Sequence, residues 1–219
     1  MSGGRFSTPA ALIFDMDGVL VDSEPLHKRA KEEAFRRFGI ELPESVYDSY
    51  KGRPDATMLP EVLGARGFSA ATIAEISQVK RGLFESIQHE LRAVPGAAEF
   101  VNWAASHYRL ALATSATPRN RELALRIVNV GHLFEVIVDS SQHRHPKPEP
   151  EVFQVTMGKL GLTPADCWII EDSVNGLRAA KSAGCVAAGI TTTFDRATLS
   201  AAGADMVVDS FPELRDLLA

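Results

Sequence analysis

Short apolar runs alternate along this chain with longer stretches of helical period, and this alternation restricts the possible fold more than any other feature. The runs cover residues 11–14, 110–113, 136–138, 167–170, 186–190 and 206–208. Apolar runs of this length are typical of strands buried on both faces, and helical signals lie between most of them, at about 97–106, 118–129, 151–160 and 174–183. Strands that alternate with helices predict an α/β protein with a doubly wound, Rossmann-like parallel sheet.

One long stretch interrupts the alternation after the first run. Residues 22–92 carry helical signals at 24–38, 44–50, 55–65 and 70–91, and no convincing strand. In the first of these, apolar residues recur at every fourth position from Leu26 to Phe38. The sequence therefore predicts a core domain of residues 1–21 and 93–219, with residues 22–92 inserted as a helical cap. The two crossings, near 20–23 and 91–95, are expected to act as hinges.

Residues suited to phosphate chemistry follow the predicted strands. They are Asp15, Asp17 and Gly18 after the first run, Thr114 and Ser115 after the second, Lys147 between two prolines, and Glu171 and Asp172 after the fourth run. Ligands of parallel sheets bind beyond the carboxyl ends of the strands, so these residues are expected at one edge of the sheet. Hydroxyls and free amides ahead of a helix opened by Pro118 would form an anion site.

Carboxylates gathered at a sheet edge need a compensating positive charge. Two of them 4 Å apart repel by roughly 4 kcal/mol at an effective dielectric of 20. Lys147 and a divalent cation would relieve this repulsion, and oxygen-only ligands beside a phosphate favour Mg²⁺. One of Asp15 and Asp17 could then serve as nucleophile and metal ligand while the other transfers a proton.

Each motif also has a simpler structural interpretation. The Asp pair could stabilise a turn, Thr114 could be an ordinary helix N-cap, and Lys147 could be an exposed lysine in a rigid turn. Glu171 or Asp172 could cap the helix that begins near Ser173. The combination of four motifs in order favours the catalytic interpretation.

The strings Asp15-Met16-Asp17-Gly18-Val19-Leu20-Val21-Asp22-Ser23-Glu24-Pro25 and Glu171-Asp172-Ser173-Val174-Asn175-Gly176 resemble motifs of the haloacid dehalogenase-like (HAD) superfamily. The subgroup whose motifs these strings resemble has a helical cap and contains phosphoglycolate phosphatases, sugar phosphatases and beta-phosphoglucomutases. The resemblance implies that Asp15 forms an aspartyl-phosphate and that Asp17 is the general acid and base. It further implies that Thr114, the Ser115 amide and Lys147 hold the phosphoryl group. Mg²⁺ would bind the Asp15 carboxylate, the Asp17 carbonyl and Asp172, with Glu171 contacting it directly or through water.

The expected function is a Mg²⁺-dependent phosphatase of small phosphorylated metabolites, either sugar phosphates or 2-phosphoglycolate-like esters. Dehalogenases of similar fold lack the second aspartate, which is present here as Asp17. Mutases of the beta-phosphoglucomutase type carry Gly-x-x-Arg-x-x-Ser in the cap, and Asp55 stands at the position of that arginine. A mutase, and a non-catalytic binding protein, remain the alternatives. In the cap, His27, Arg53 and Lys80 are candidate substrate contacts, although each taken alone is better explained as a solvated helix or loop residue.

Composition restricts the remaining partners. The chain has 219 residues and a net charge of −5, which offers no electrostatic footprint for nucleic acid. No apolar stretch is long enough to span a membrane, no signal peptide precedes the first strand, and no obligate protein partner is evident. A cytoplasmic enzyme is expected. Cys167 and Cys185 are predicted to be buried, reduced thiols.

Overall fold

The computed structural model describes residues 7–51 and 55–219, and for residues 48 and 49 only the backbone. The chain divides into two compact units. We call the first the core unit: it contains the chain up to Asp22 and from Arg92 onward. The second, the helical unit, is Ser23–Leu91.

The core unit is built on a six-stranded, all-parallel sheet. Its strands are β1 (Ala11–Phe14), β4 (Arg109–Ala113), β5 (Val136–Val138), β6 (Cys167–Glu171), β7 (Val186–Ile190) and β8 (Met206–Val208). They lie in the order β5-β4-β1-β6-β7-β8. From β1 the chain builds the sheet first toward one edge and then toward the other, which places the topological switch point at the end of β1. The predicted α/β class is confirmed.

Helices of the core unit connect the parallel strands, and the last helix in the chain follows the final strand. They are α5 (Ala97–Ala104), α6 (Pro118–Val128), α7 (Glu151–Leu160), α8 (Val174–Ser182), α9 (Arg196–Ala201) and α10 (Phe211–Leu218). Every residue of β1 is buried, as expected for a central strand covered on both faces. The Phe14 ring makes edge contacts with Phe100 and Phe134, at centroid distances of 6.0 and 5.8 Å.

The helical unit contains the four helices that the sequence predicts. They are α1 (Glu24–Arg37), α2 (Glu44–Ser49), α3 (Asp55–Gly64) and α4 (Ala70–Ile87). Its own hydrophobic core is centred on Phe35, Met58, Leu63 and Ile76, all of them buried. Helix α4 is shorter than predicted, because a 3₁₀ turn over Gln88–Glu90 follows it.

Three short elements depart from the sequence prediction. Two-residue strands, β2 (Val21–Asp22) and β3 (Arg92–Ala93), pair antiparallel where the chain leaves the core unit and returns to it. The sequence shows no strand at either boundary, since two residues are too few for a period. Helix α9 was also not predicted, although its N-cap Asp195 accepts a hydrogen bond from the Thr198 amide at 2.7 Å.

Two further sequence predictions concern membrane spans and thiols. Among the described residues, every helix is too short or too polar to cross a bilayer. Both cysteines are buried and unpaired, and burial raises the pKa of Cys167 to about 11 and that of Cys185 to about 12. The prediction of buried, reduced thiols is confirmed.

Candidate active site

The ends of three neighbouring strands bring the predicted motifs together in the core unit. Strand β1 lies between β4 and β6, and Phe14 is in register with both Leu112 and Ile170. The residues that follow these three positions therefore meet at one edge of the sheet. They include Asp15, Thr114, Glu171 and Asp172, all buried.

Lys147 links all three of these strand ends through its ammonium group. Its Nζ donates to Asp15 Oδ1 at 2.5 Å, to Glu171 Oε1 at 2.6 Å and to the Ala113 carbonyl at 3.3 Å. The same nitrogen lies 4.8 Å from the centroid of the Phe153 ring. Burial alone would lower the pKa of Lys147, but the two carboxylates outweigh it and hold the pKa above its ordinary value. The interpretation of Lys147 as an exposed lysine is wrong.

Both carboxylate oxygens of Glu171 are engaged. Oε1 accepts from Lys147, and Oε2 accepts from the amides of Asp172 and Ser173, each at 3.1 Å, and from the Ser173 hydroxyl at 3.0 Å. The N-cap of α8 is Ser173, whose hydroxyl accepts from the Gly176 amide. Neither acid caps this helix, so the capping interpretation is wrong for both.

Three buried carboxylates surround a space that suits a cation. One oxygen each of Asp15, Glu171 and Asp172 lies within 4.8 Å of the other two. Burial raises the pKa of Asp15 to about 7; Lys147 opposes this rise, whereas Glu171 and Asp17 add to it. Burial, together with the neighbouring charges of Glu171 and Asp15, raises the pKa of Asp172 well above its ordinary value. The cluster therefore holds more negative charge than Lys147 neutralises, and its all-oxygen ligands match the preference of Mg²⁺.

Asp17 and Gly18 form a tight turn directly after Asp15. Asp17 is half-buried, and its backbone forms an isolated β-bridge with Val21. The Val21 carbonyl accepts a hydrogen bond from the Gly18 amide at 2.7 Å. Gly18 has φ +76°, and a Cβ at this position would lie 1.8 Å from Asp172 Oδ2. Only glycine satisfies both the left-handed backbone and this close approach.

Thr114 and Ser115 lie where β4 ends. Thr114 is buried, its Oγ1 accepts from the Ala116 amide at 3.0 Å, and Ser115 is exposed. The N-cap of α6 is Thr117, whose side chain accepts from the Asn120 amide. The interpretation of Thr114 as an ordinary N-cap is wrong.

His27 and Lys80 contact each other inside the helical unit. Lys80 Nζ donates to His27 Nδ1 at 2.9 Å and forms an ion pair with Asp55. The His27 ring stacks on Phe84 at 4.1 Å, and burial, reinforced by Lys80, lowers the pKa of His27 to about 3. Lys80 is 6% exposed, so its interpretation as a solvated residue is wrong. Arg53, the third candidate contact, lies outside the described residues.

Residues that the sequence reasoning missed lie in the turn after β7. The Thr192 hydroxyl donates to the Gly18 carbonyl, and the Thr193 hydroxyl lies beside the Asp172 carboxylate, because a Cβ at Gly18 would contact both groups. The signal was available, because these threonines directly follow an apolar run, as the other motifs do. Phe153, whose ring lies beside the Lys147 ammonium, carried no comparable signal.

Comparisons with known proteins agree with this arrangement. A family model described as haloacid dehalogenase-like hydrolase matches residues 12–190. The phosphorylated carbohydrates phosphatase of Thermotoga maritima is 33% identical over 177 residues, which cover 80% of this chain and 81% of that protein. Protein CbbY of Rhodobacter capsulatus is 34% identical over 186 residues, which cover 80% and 82%.

A solved structure extends the similarity to three dimensions. CbbY from Rhodobacter sphaeroides, in complex with phosphate, matches this chain with a TM-score of 0.78 at 28% identity, over 94% of this chain and 96% of that one. The resemblance read from the motifs is confirmed. The chain therefore belongs to the haloacid dehalogenase-like hydrolases, and within that family it is a phosphatase.

Proposed function

We propose that this protein is a Mg²⁺-dependent phosphatase of small phosphorylated sugars and related phosphate esters, acting through an aspartyl-phosphate on Asp15. The observation that carries the proposal is the buried group of Asp15, Glu171 and Asp172 around Lys147. Its excess of acidic groups suits a cation, and the ammonium beside Asp15 suits a phosphoryl group. The name of the Thermotoga maritima relative, a phosphatase of phosphorylated carbohydrates, supports the substrate class.

Asp15 is the nucleophile of the first step. One of its carboxylate oxygens attacks phosphorus, the bond from phosphorus to the ester oxygen breaks, and Asp17 gives its proton to the leaving alcohol. Asp17 is suited to this role because it is half-buried at the turn, whereas Asp15 is buried beneath it in contact with Lys147.

Asp17 acts in the opposite direction in the second step. It takes a proton from water as the water oxygen attacks the phosphorus of the aspartyl-phosphate. The bond from phosphorus to the Asp15 oxygen breaks, which releases inorganic phosphate and restores both side chains to their starting states.

Lys147, Thr114 and the Ser115 amide hold the phosphoryl oxygens. The ammonium of Lys147 is fixed by two carboxylates, so it is aligned before the negative charge develops. Gly18 leaves room beside Asp172 for the turn to approach the ligand. Bound Mg²⁺, held by Asp15, the Asp17 carbonyl and Asp172, with Glu171 nearby, would offset charge on the transferring group.

We assign residues 1–21 and 93–219 as the catalytic domain and residues 22–92 as a cap that selects the substrate. His27 and Lys80 are the proposed cap contacts, together with Arg53. Asp55 pairs with Lys80 and lies 3.9 Å from Lys31. Glu24 also interacts with both lysines, so two acids offset the charge of the two buried lysines. A cap region with its charges offset in this way favours a hydroxyl-rich leaving group over a second phosphate, and so favours a phosphatase over a mutase.

The test is hydrolysis of a panel of phosphate esters, with and without Mg²⁺, by the wild type and Asp15→Asn. We expect release of phosphate by the wild type only with Mg²⁺, and no detectable release by the variant, with unchanged circular dichroism. Asp195→Asn is the matched control, since asparagine replaces aspartate well at the N-cap of α9 and full activity is expected. Hydrolysis by Asp15→Asn at the wild-type rate would falsify the assignment of the nucleophile.

Two other outcomes would replace the proposal. Interconversion of hexose phosphates that requires a bisphosphate activator would identify a mutase. The absence of Mg²⁺-dependent hydrolysis across the whole panel would identify a binding protein that has kept the fold.

A further inference from the structure

Three consecutive threonines follow β7, and each hydroxyl has a different partner. Thr191 donates to Asp209 at 2.8 Å, Thr192 donates to the Gly18 carbonyl, and Thr193 Oγ1 lies beside the Asp172 carboxylate, because a Cβ at Gly18 would contact both. One short turn therefore contacts the ends of three strands. The first contact lies beyond β8, outside the candidate active site, whereas the other two lie within it.

The turn is placed beside the acidic cluster by the sheet itself. Strand β7 is the parallel neighbour of β6, and Gly189 is in register with Glu171. The segment after β7 therefore lies next to Asp172. At Gly18, a Cβ would lie 1.8 Å from Asp172 Oδ2 and 2.8 Å from Thr193 Oγ1, so these groups are packed against one another.

Asp172 needs a neutral donor more than most carboxylates do. It is buried beside Glu171 and Asp15, and the negative charges of both acids destabilise the ionised form of Asp172. Lys147 bonds those two acids directly. The Thr193 hydroxyl lies beside the Asp172 carboxylate and acts to lower the pKa of Asp172 without adding charge. Thr192 fixes the turn to the backbone at Gly18.

We propose that Thr193 is a positioning residue, which holds the Asp172 carboxylate in the orientation that binds the divalent cation. This inference rests on the proposed function, because it assumes that Asp172 is a metal ligand. Residues that orient metal ligands typically contribute about 10–100-fold to metal affinity. We expect an effect of that size on affinity for Mg²⁺, with a smaller effect on turnover once the site is saturated.

The three threonines provide matched variants. Thr193→Val removes the hydroxyl with little change of shape, Thr193→Ser retains it, and Thr191→Val removes a neighbouring hydroxyl that bonds Asp209 instead. The dissociation constant for Mg²⁺ is measured by titration calorimetry on protein without substrate. The Mg²⁺ concentration for half-maximal hydrolysis is measured separately, and circular dichroism checks that each variant is folded.

We expect Thr193→Val to weaken Mg²⁺ binding by at least about 10-fold. Thr193→Ser and Thr191→Val should bind as the wild type does. Wild-type affinity in folded Thr193→Val would overturn the inference, and so would equal losses in Thr191→Val and Thr193→Val, because these would indicate a general disturbance of the turn.

The calorimetric readout separates this inference from the proposed function. If the wild type binds Mg²⁺ but hydrolyses no ester, the function fails while the comparison of variants still decides the role of Thr193. If the wild type binds no Mg²⁺, both are overturned. If hydrolysis requires Asp15 and Mg²⁺ but Thr193→Val binds normally, only the role of Thr193 is lost.

Discussion

Gly176→Ala provides a sharp test of how the acidic motif is held. Gly176 lies in the first turn of α8, and the Glu171 carboxylate packs directly on it. A Cβ added there would lie 1.8 Å from Oε1, 1.9 Å from Cδ and 2.2 Å from Oε2 of Glu171. Real contacts of this kind are longer than 3.0 Å, so Glu171 would have to move.

The expected cost follows from what Glu171 contacts. Its side chain is fully buried, and its oxygens accept bonds from Lys147, two backbone amides and a hydroxyl. Overpacking costs about 1–3 kcal/mol and weakening bonds to a buried charge about 1.5–3 kcal/mol, against a gain of about 1 kcal/mol from replacing a helical glycine. We expect a net loss of about 1.5–5 kcal/mol in the free energy of unfolding. Displacement of Lys147 from Asp15 should also abolish most activity.

Gly158→Ala is the matched control. Gly158 lies in α7, where an added Cβ would have no atom within 4 Å. This variant should gain up to about 1 kcal/mol and keep its activity. Urea unfolding followed by tryptophan fluorescence reports on the core unit, because Trp103 and Trp168 both lie there. A Gly176→Ala protein as stable and as active as Gly158→Ala would refute the argument.

Two further predictions concern buried charges. Lys147→Met leaves the Asp15 and Glu171 carboxylates without their shared ammonium. Urea unfolding should therefore show that the free energy of unfolding is lower by about 3–5 kcal/mol. A decrease of less than about 1 kcal/mol would contradict the described contacts. The second concerns His27, whose pKa falls from its ordinary value of 6.5 to about 3 in the folded chain. Below pH 6.5, His27 of the unfolded chain therefore binds a proton that the folded chain does not. The contribution of His27 to the free energy of unfolding should therefore fall by about 2 kcal/mol between pH 7 and pH 5. The raised pKa of Asp15 acts in the opposite direction over the same range, so the contribution of His27 is measured as the difference between the wild type and His27→Gln. His27→Gln, which retains an acceptor for Lys80, should lose that dependence, and parallel pH profiles for the two proteins would show the expectation to be wrong.

The strands of the sheet could be located from sequence because each is an almost continuous apolar run, buried throughout in the central strands β1 and β6 and only partly in the edge strands β5 and β8. The observed bounds differ from the predicted ones by about one residue, as at Arg109 and Glu171. The ribbon of β2 and β3 could not be found in this way. Its pairs join Val21 to Ala93 and Asp22 to Arg92, which are distant along the chain and show no local period.

The sequence by itself determined the residue types at the strand ends and the helical character of residues 22–92, because period and residue type are local properties. Only the tertiary structure decided which groups meet. Lys147 bonds Asp15 across 132 positions of the chain, and the turn after β7 reaches Gly18 across 174. No local pattern encodes such contacts, since they depend on the order of the strands in the sheet. The same reason explains why Lys80, polar on a helix, was expected in solvent and is instead buried against Asp55.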